Sequence, residues 1–197
     1  MTEIIRIQNV PGAAEAVGAI IATSFHEQEI SAWMIPSDDD RRQVMPPFFS
    51  MATESALVHG EVHATADMTA VAVWFHKGVE PLPEIPGRDA RVAELAGPHA
   101  ERIGRMGEEM DKRHPHEPHH YLAFLAVLPG HQRRRTGTRL LQGYHRGLDE
   151  AGIPAYLEAS STHSRRLYLR HGYQDLGDPI FMPGGPPMFP MWRPPNP

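Results

Sequence analysis

Residues Tyr121 to Tyr173 read YLAFLAVLPGHQRRRTGTRLLQGYHRGLDEAGIPAYLEASSTHSRRLYLRHGY. The apolar run 121–128 ends in Pro129-Gly130, and a short basic loop then opens directly into an amphipathic pattern over 137–151. A second apolar run, 154–160, carries a single carboxylate, Glu158, and leads into a short helical stretch, 163–171, that ends in His-Gly-Tyr. The spacing predicts strand, turn, helix, strand, helix. The turn is where chemistry enters. The first backbone N–H groups of a helix have no intrahelical partner and sit at the positive end of its dipole. A basic loop feeding such an end suits a phosphate or pyrophosphate. Gly137 permits close backbone approach, Arg133, Arg134 and Arg135 supply charge, and Thr136 and Thr138 offer hydroxyls. A solvated basic turn capping a helix accounts for the same residues equally well on spacing alone. The loop lacks a Gly-Lys-Ser/Thr ending and a three-glycine spacing, so it is neither a Walker loop nor a dinucleotide fingerprint.

Upstream, Ile4, Ile5 and Ile7 suggest a first strand that Pro11-Gly12 ends, and 13–29 has helical apolar spacing. A second helix is expected over 41–57, interrupted near Pro46-Pro47. Residues 58–65 and 69–76 read as strands, 77–88 as a Pro/Gly loop, and 89–110 as one helix. The His-rich segment 111–120 is broken by Pro115 and Pro118, and 180–193 reads as a final extended stretch. Strands and helices in this order predict an α+β fold, a mixed and largely antiparallel central sheet with helices on both faces.

The 197-residue length favours one domain over 1–197. The chain has no cysteine, which rules out disulfides, thiolate metal sites and a cysteine nucleophile, and fits a reducing cytoplasmic setting. A net charge of −5 argues against a nucleic-acid partner. The apolar runs fall short of the roughly 18 residues that span a bilayer, and MTEIIRIQNV lacks the basic-then-apolar order of a secretory leader. No membrane partner is therefore expected. His114, His116, His119 and His120 invite a metal reading, but they alternate with prolines in a loop, so no metal is expected there.

Val127-x-Pro129, Gln132-x-x-Arg135-x-Gly137 and Leu140-Leu141 together resemble motif A of the GNAT superfamily of acyl-CoA-dependent N-acetyltransferases. YLEAS at 156–160 with RRLYLRHGY at 165–173 resembles motif B of that superfamily. A wider likeness over residues 69–193 is to its puromycin N-acetyltransferase-like branch. The resemblance implies a V-shaped splay of two strands holding acetyl-CoA as co-substrate, with contacts from Ala126, Val127 and the stretch Gln132, Arg133, Arg134, Arg135, Thr136, Gly137 and Thr138, and from Ser164. Two positions depart from the pattern: Arg135 stands at the first motif glycine, and Ser164 stands where an Asn often precedes the motif tyrosine.

Direct transfer from a thioester expels a thiolate, and a phenol can protonate it. The resemblance gives that role to Tyr168, which packing of a short helix would otherwise explain. The amine must lose a proton, and Glu158, alone in an apolar strand, is the leading base; a solvent-facing carboxylate is the competing reading. His120 is the alternative base. Phe25, Trp33 and Phe49 are candidates to line the pocket of a hydrophobic or aromatic small-molecule amine, although core positions explain most such residues. Asp38-Asp39-Asp40 could attract a cationic amine, but an acidic helix start explains it as well. The expected function is acetyl-CoA-dependent N-acetylation of a primary amine in a ternary complex. The competing readings are a non-catalytic acetyl-CoA-binding module and a protein lysine or N-terminal acetyltransferase. Neither the acceptor nor the choice between monomer and homodimer is legible.

Overall fold

A computed structural model of the chain describes residues 2–78 and 87–196, with only the backbone described at Arg88 and Asp89. The Pro/Gly loop expected over 77–88 falls mostly on residues 79–86, outside the described residues.

Seven strands form one sheet: β1 (Ile4–Arg6), β2 (Gly60–Thr65), β3 (Ala70–Lys77), β4 (His119–Val127), β5 (Ala155–Ala159), β6 (Gln174–Asp175) and β7 (Phe189–Arg193). Their order is β1-β2-β3-β4-β5-β7-β6, and every neighbouring pair is antiparallel except β4–β5. The parallel pair has only two residue pairs in register, His120↔Ala155 and Tyr121↔Tyr156. Past them the strands part, so residues 122–127 of β4 have no strand on that edge. This is the expected splay.

The helices are α1 (Ala13–Phe25), α2 (Glu29–Met34), α3 (Asp38–His59), α4 (Arg88–Ala96), α5 (Ala100–Asp111), α6 (Thr136–Ala151) and α7 (Thr162–Leu169). One face of the sheet is covered by α1 and α3: Val17, Ile21, Met45 and Phe49 pack on Val62, Val71, Val73 and Ala126. The other face is covered by α6 and α7: Leu140, Leu141, Tyr144 and Tyr168 pack on Ala72, Trp74, Leu122 and Leu157. Where α1 crosses α3, a Cβ on Gly18 would fall 2.5 Å from the Ser50 backbone nitrogen, so only glycine allows this approach.

Three expectations are corrected. The helix predicted to break at Pro46-Pro47 runs unbroken from Asp38 to His59 with both prolines inside it. Burial of Met45, Phe49 and Ala56 supplies the packing that holds it together across the missing donors. The single helix expected over 89–110 is divided, because Gly97 takes φ +51° and a 3-10 turn at Gly97–His99 separates α4 from α5. The helix expected over 13–29 ends at Phe25, and α2 begins at Glu29. The terminal strand is anchored by Arg193, whose guanidinium donates to both carboxylate oxygens of Asp149 on α6 at 2.7 Å. No helix among the described residues is long and apolar enough to cross a membrane.

Candidate acyl-transfer site

The basic loop enters α6 through strained backbone. Arg133 and Arg135 both hold φ +61°, a left-handed conformation that costs a non-glycine residue about 1 kcal/mol. Arg135, the N-cap of α6, makes no side-chain hydrogen bond to the helix. The N–H groups of Thr136, Gly137 and Thr138 are thus left without a cap. Arg133, Arg134 and Arg135 are exposed, and among the described residues none pairs with a carboxylate. Gly137 is helical, and a Cβ there would lie 3.6 Å from Leu125 Cδ2 and 3.8 Å from Val127 Cγ2, ordinary contacts. The fold has no need of a glycine at 137.

Two of the expected ligand contacts are engaged within the protein. Gln132 Nε2 donates to the Val127 carbonyl at 3.1 Å and so ties the loop back to β4. Ser164 completes a capping box: its N–H donates to Ser161 Oγ, and the Ser161 N–H donates to Ser164 Oγ, both at 3.1 Å. Thr138 Oγ1 lies 3.3 Å from His171 Nε2. Ala126 is buried in the core beneath α1 and α3, and the ladder register turns its backbone N–H and C=O to β3 rather than to the splay.

Glu158 stands two residues past the last β4–β5 pair, in the mouth of the splay. Its side chain is 1 % exposed, and Oε1 is buried with no hydrogen-bond partner among the described residues. Tyr156, on the same face of β5, also has a buried hydroxyl without a partner. A buried polar atom without a partner costs about 1–3 kcal/mol. Burial and the nearby Glu158 charge raise the pKa of Tyr156 and Tyr121, so both stay phenols, although the Tyr156 hydroxyl and Glu158 Oε1 do not reach hydrogen-bonding geometry.

Tyr168, on α7, is 8 % exposed and packs edge-on to Tyr173 with centroids 5.7 Å apart. Burial raises its pKa, which keeps its proton in place. Tyr168 belongs to the α6–α7 face, and Glu158 faces the other way; the splay connects the two faces.

His120 does not join Glu158. Adjacent strand residues face opposite sides, and it is Tyr121 that shares the Glu158 face. His120 stacks on His76 at 4.1 Å, and its Nδ1 lies 2.8 Å from the Tyr144 hydroxyl of α6. Burial, with His76 adding to it, lowers its pKa to about 4. The four loop histidines therefore do not converge. His114 and His119 do reach the Glu158 face, with His114 Nδ1 3.8 Å from Glu158 Oε1 and the two Nε2 atoms 3.1 Å apart. The sequence reading missed this pair, together with Tyr121 and Tyr156.

Phe49 is core, not pocket wall: it is 4 % exposed and packs edge-on against Phe25, Phe48 and Phe124. Phe25 is half-buried and touches Phe124 of β4. Trp33 is half-buried and donates from Nε1 to the Pro183 carbonyl at 3.2 Å. The run Asp38-Asp39-Asp40 is engaged within the protein: Asp38 pairs with Arg41 and Arg42 and meets His26, Asp39 pairs with Arg42, and Asp40 meets His99. It is a paired helix start.

Residues 92–175 match a family model described as the acetyltransferase (GNAT) domain, which covers α5, β4, the basic loop, α6, β5 and α7. A Corynebacterium glutamicum protein described as histone acetyltransferase HPA2 and related acetyltransferase aligns over 100% of this chain and 98% of its own, with TM-score 0.71 and 24% identity. The fold is the GNAT acetyltransferase fold. Arylalkylamine N-acetyltransferase 2 from Aedes aegypti shares it at TM-score 0.68 and 13% identity, over 98% of this chain and 100% of its own. An agmatine N-acetyltransferase shares it at 0.55 and 17%, over 96% and 98%. The matched residues include both the uncapped α6 terminus and the β4–β5 splay.

Proposed function

We propose that this protein transfers the acetyl group of acetyl-CoA to the primary amine of a small molecule, directly and in a ternary complex. The observation that carries the reading is Glu158, whose buried Oε1 has no hydrogen-bond partner among the described residues and which stands in the mouth of the splay beside the aromatic rings of Tyr121 and Tyr156. Acetyl-CoA supplies an acyl thioester. The N–H groups of Thr136, Gly137 and Thr138 and the Arg133–Arg135 charges hold its pyrophosphate. The free edge of β4 around Val127 orients the acyl arm and offers an N–H to the carbonyl oxygen. Glu158 takes a proton from the attacking nitrogen. As the C–N bond forms and the C–S bond breaks, Tyr168 gives its proton to the departing sulfur. Arg135 supports catalysis rather than opposing it, since it holds the left-handed backbone that the motif glycine would supply and keeps its side chain exposed.

The amine is apolar or aromatic on this reading, because Phe124, beyond the last β4–β5 pair, lies on the open stretch of β4 against Phe25, and Asp38 is already paired with Arg41 and Arg42. A structural relative's action on arylalkylamines and the puromycin-acetyltransferase-like residues of 69–193 point the same way.

The test is thiol release from acetyl-CoA with a panel of puromycin, arylalkylamines, agmatine, polyamines, aminoglycosides and a lysine peptide, with CoA binding followed by calorimetry. Release with aromatic amines and none with polyamines is expected. Micromolar CoA binding without release from any amine would replace this reading with a binding module.

A further inference from the structure

Glu158 has a difficulty that the reaction imposes on it. Transfer to an ammonium acceptor releases one proton per turnover, and a base whose side chain is 1 % exposed must pass that proton on before it can act again. Its neighbour at that point is His114. The His114 side chain is 17% exposed, so it touches both Glu158 and solvent, and its Nδ1 faces Glu158 Oε1 at 3.8 Å. An approach of under about an ångström makes this a hydrogen bond.

We propose that His114 is the proton exit of the acceptor site, taking the proton from Glu158 and giving it to water, and that His119 is the positioning residue that sets the His114 tautomer. The proposal rests on the reading of Glu158 as the base.

The tautomer follows from the partners. His119 Nδ1 lies 2.7 Å from the Glu117 carbonyl, which can only accept, so Nδ1 carries hydrogen. Burial first, and the His114 and Lys77 charges after it, lower the His119 pKa to about 4, so near neutral pH its Nε2 is bare. That bare nitrogen lies 3.1 Å from His114 Nε2, which must therefore be the donor. The remaining nitrogen of a neutral His114, Nδ1, then presents its lone pair to Glu158. One proton fits between Oε1 and Nδ1, and it has two places to rest.

The surroundings hold this geometry. The Tyr121 and Tyr156 rings meet His114 edge-on, at 4.9 and 4.8 Å between centroids. Both stay protonated phenols, so neither diverts the proton. Pro115 and Pro118 stiffen the loop, and Arg113 donates to the Asp178 carbonyl at 3.0 Å, tying the loop to the C-terminal segment. The titratable groups bearing on the pair are Glu158, His119, Tyr121 and Tyr156 in contact, with Asp111 and Arg113 on the end of α5 and Lys77 on β3 acting through their charges. Both protons of the ammonium are accounted for: the nitrogen loses one through Glu158 and His114 to bulk water, and the second restores the proton that Tyr168 gives to the departing sulfur, so amide, CoA thiol and one released proton result.

Two measurements test this. Nitrogen shifts of the 15N-histidine-labelled protein report tautomers with no substrate present. At pH 7.5 the expected forms are His119 with hydrogen on Nδ1 and His114 with hydrogen on Nε2; hydrogen on His114 Nδ1 alone overturns the proposal. The second measurement is steady-state kinetics with acetyl-CoA and the best amine of the panel. His114→Gln, which keeps a donor to His119 but cannot carry the proton, should lower kcat roughly tenfold or more with both KM values nearly unchanged. His114→Ala should be rescued by added imidazole, and His119→Phe should shift the acidic limb of the pH–rate profile. Full activity in both His114 variants, or loss without rescue, sinks the relay. Glu158→Gln separates the two readings: if it is inactive while the His114 variants are active, the relay alone fails, and if Glu158→Gln is active, the base reading fails with it.

Discussion

Two helices follow two strands in the C-terminal half of the chain, and their first turns are built in opposite ways. At α7, Ser161 and Ser164 bond reciprocally to each other's backbone, so two of the free donors are satisfied before anything arrives. At α6 the N-cap is an arginine in the left-handed region that offers the helix no side-chain bond. The α7 terminus is finished as a piece of structure. The α6 terminus is left incomplete beside three exposed arginines, and the left-handed backbone of Arg135 differs from the extended backbone from which Ser161 caps α7. The difference separates a helix start closed by its own side chains from an open one, and on the proposed function the open one holds the pyrophosphate.

The largest effect expected from breaking this contrast is at Gly137. Gly137→Val should weaken acetyl-CoA binding about a hundredfold or more, measured by calorimetry, while the melting temperature changes little, because a Cβ meets only ordinary contacts there. Retained affinity would show that the open terminus is not the anion cradle. Next is Tyr168→Phe. On the α7 side, catalysis and binding should separate: kcat falls roughly tenfold or more and acetyl-CoA affinity stays the same, and an equal fall in both would reduce Tyr168 to packing. A smaller effect is expected at the closed terminus. Ser161→Ala should cost about 1 kcal/mol, some 2–4 °C in melting temperature, with acetyl-CoA affinity unchanged. A loss of affinity there would mean that α7 also holds the ligand. The smallest effect is expected from Arg135→Gly, which relieves a left-handed arginine and should raise stability by up to about 1 kcal/mol, with acetyl-CoA affinity within about threefold. A gain in affinity of tenfold or more would show that the arginine obstructs the cradle.

Much of this was legible in the sequence. The strand–turn–helix–strand–helix order of 121–173 carried the sheet, its parallel step and the basic loop, because period, turn residues and helix entry all agree there. The side chains around Glu158 were not legible, and the cause is a bulge. Ala123 has no partner opposite the Val73–Trp74 step, so the alternation of β4 slips by one residue. Phe124 and Ala126 face α1 and α3, whereas Leu122 faces α6. Counting back by twos from Ala126 therefore puts His120 on the wrong face and hides Tyr121. The partnership of His114 with Glu158 depends on a loop folding back across the strand ends, which no local pattern records. At Pro46-Pro47 a local rule was overruled by packing, and at Gly97-Pro98 the breaking signal stood in the sequence and was passed over.

The β4–β5 junction has a mechanical meaning as well. Seven strands are counted as one sheet, yet two residue pairs are all that stitch β1–β4 to β5, β7 and β6. On the proposed function acetyl-CoA lies in that seam, between the free edge of β4 and the α6 terminus, closes it like a zip and binds only the folded form. Its binding energy is then folding energy, and the loaded protein should be stiffer along that line and should melt at a temperature that climbs with ligand concentration.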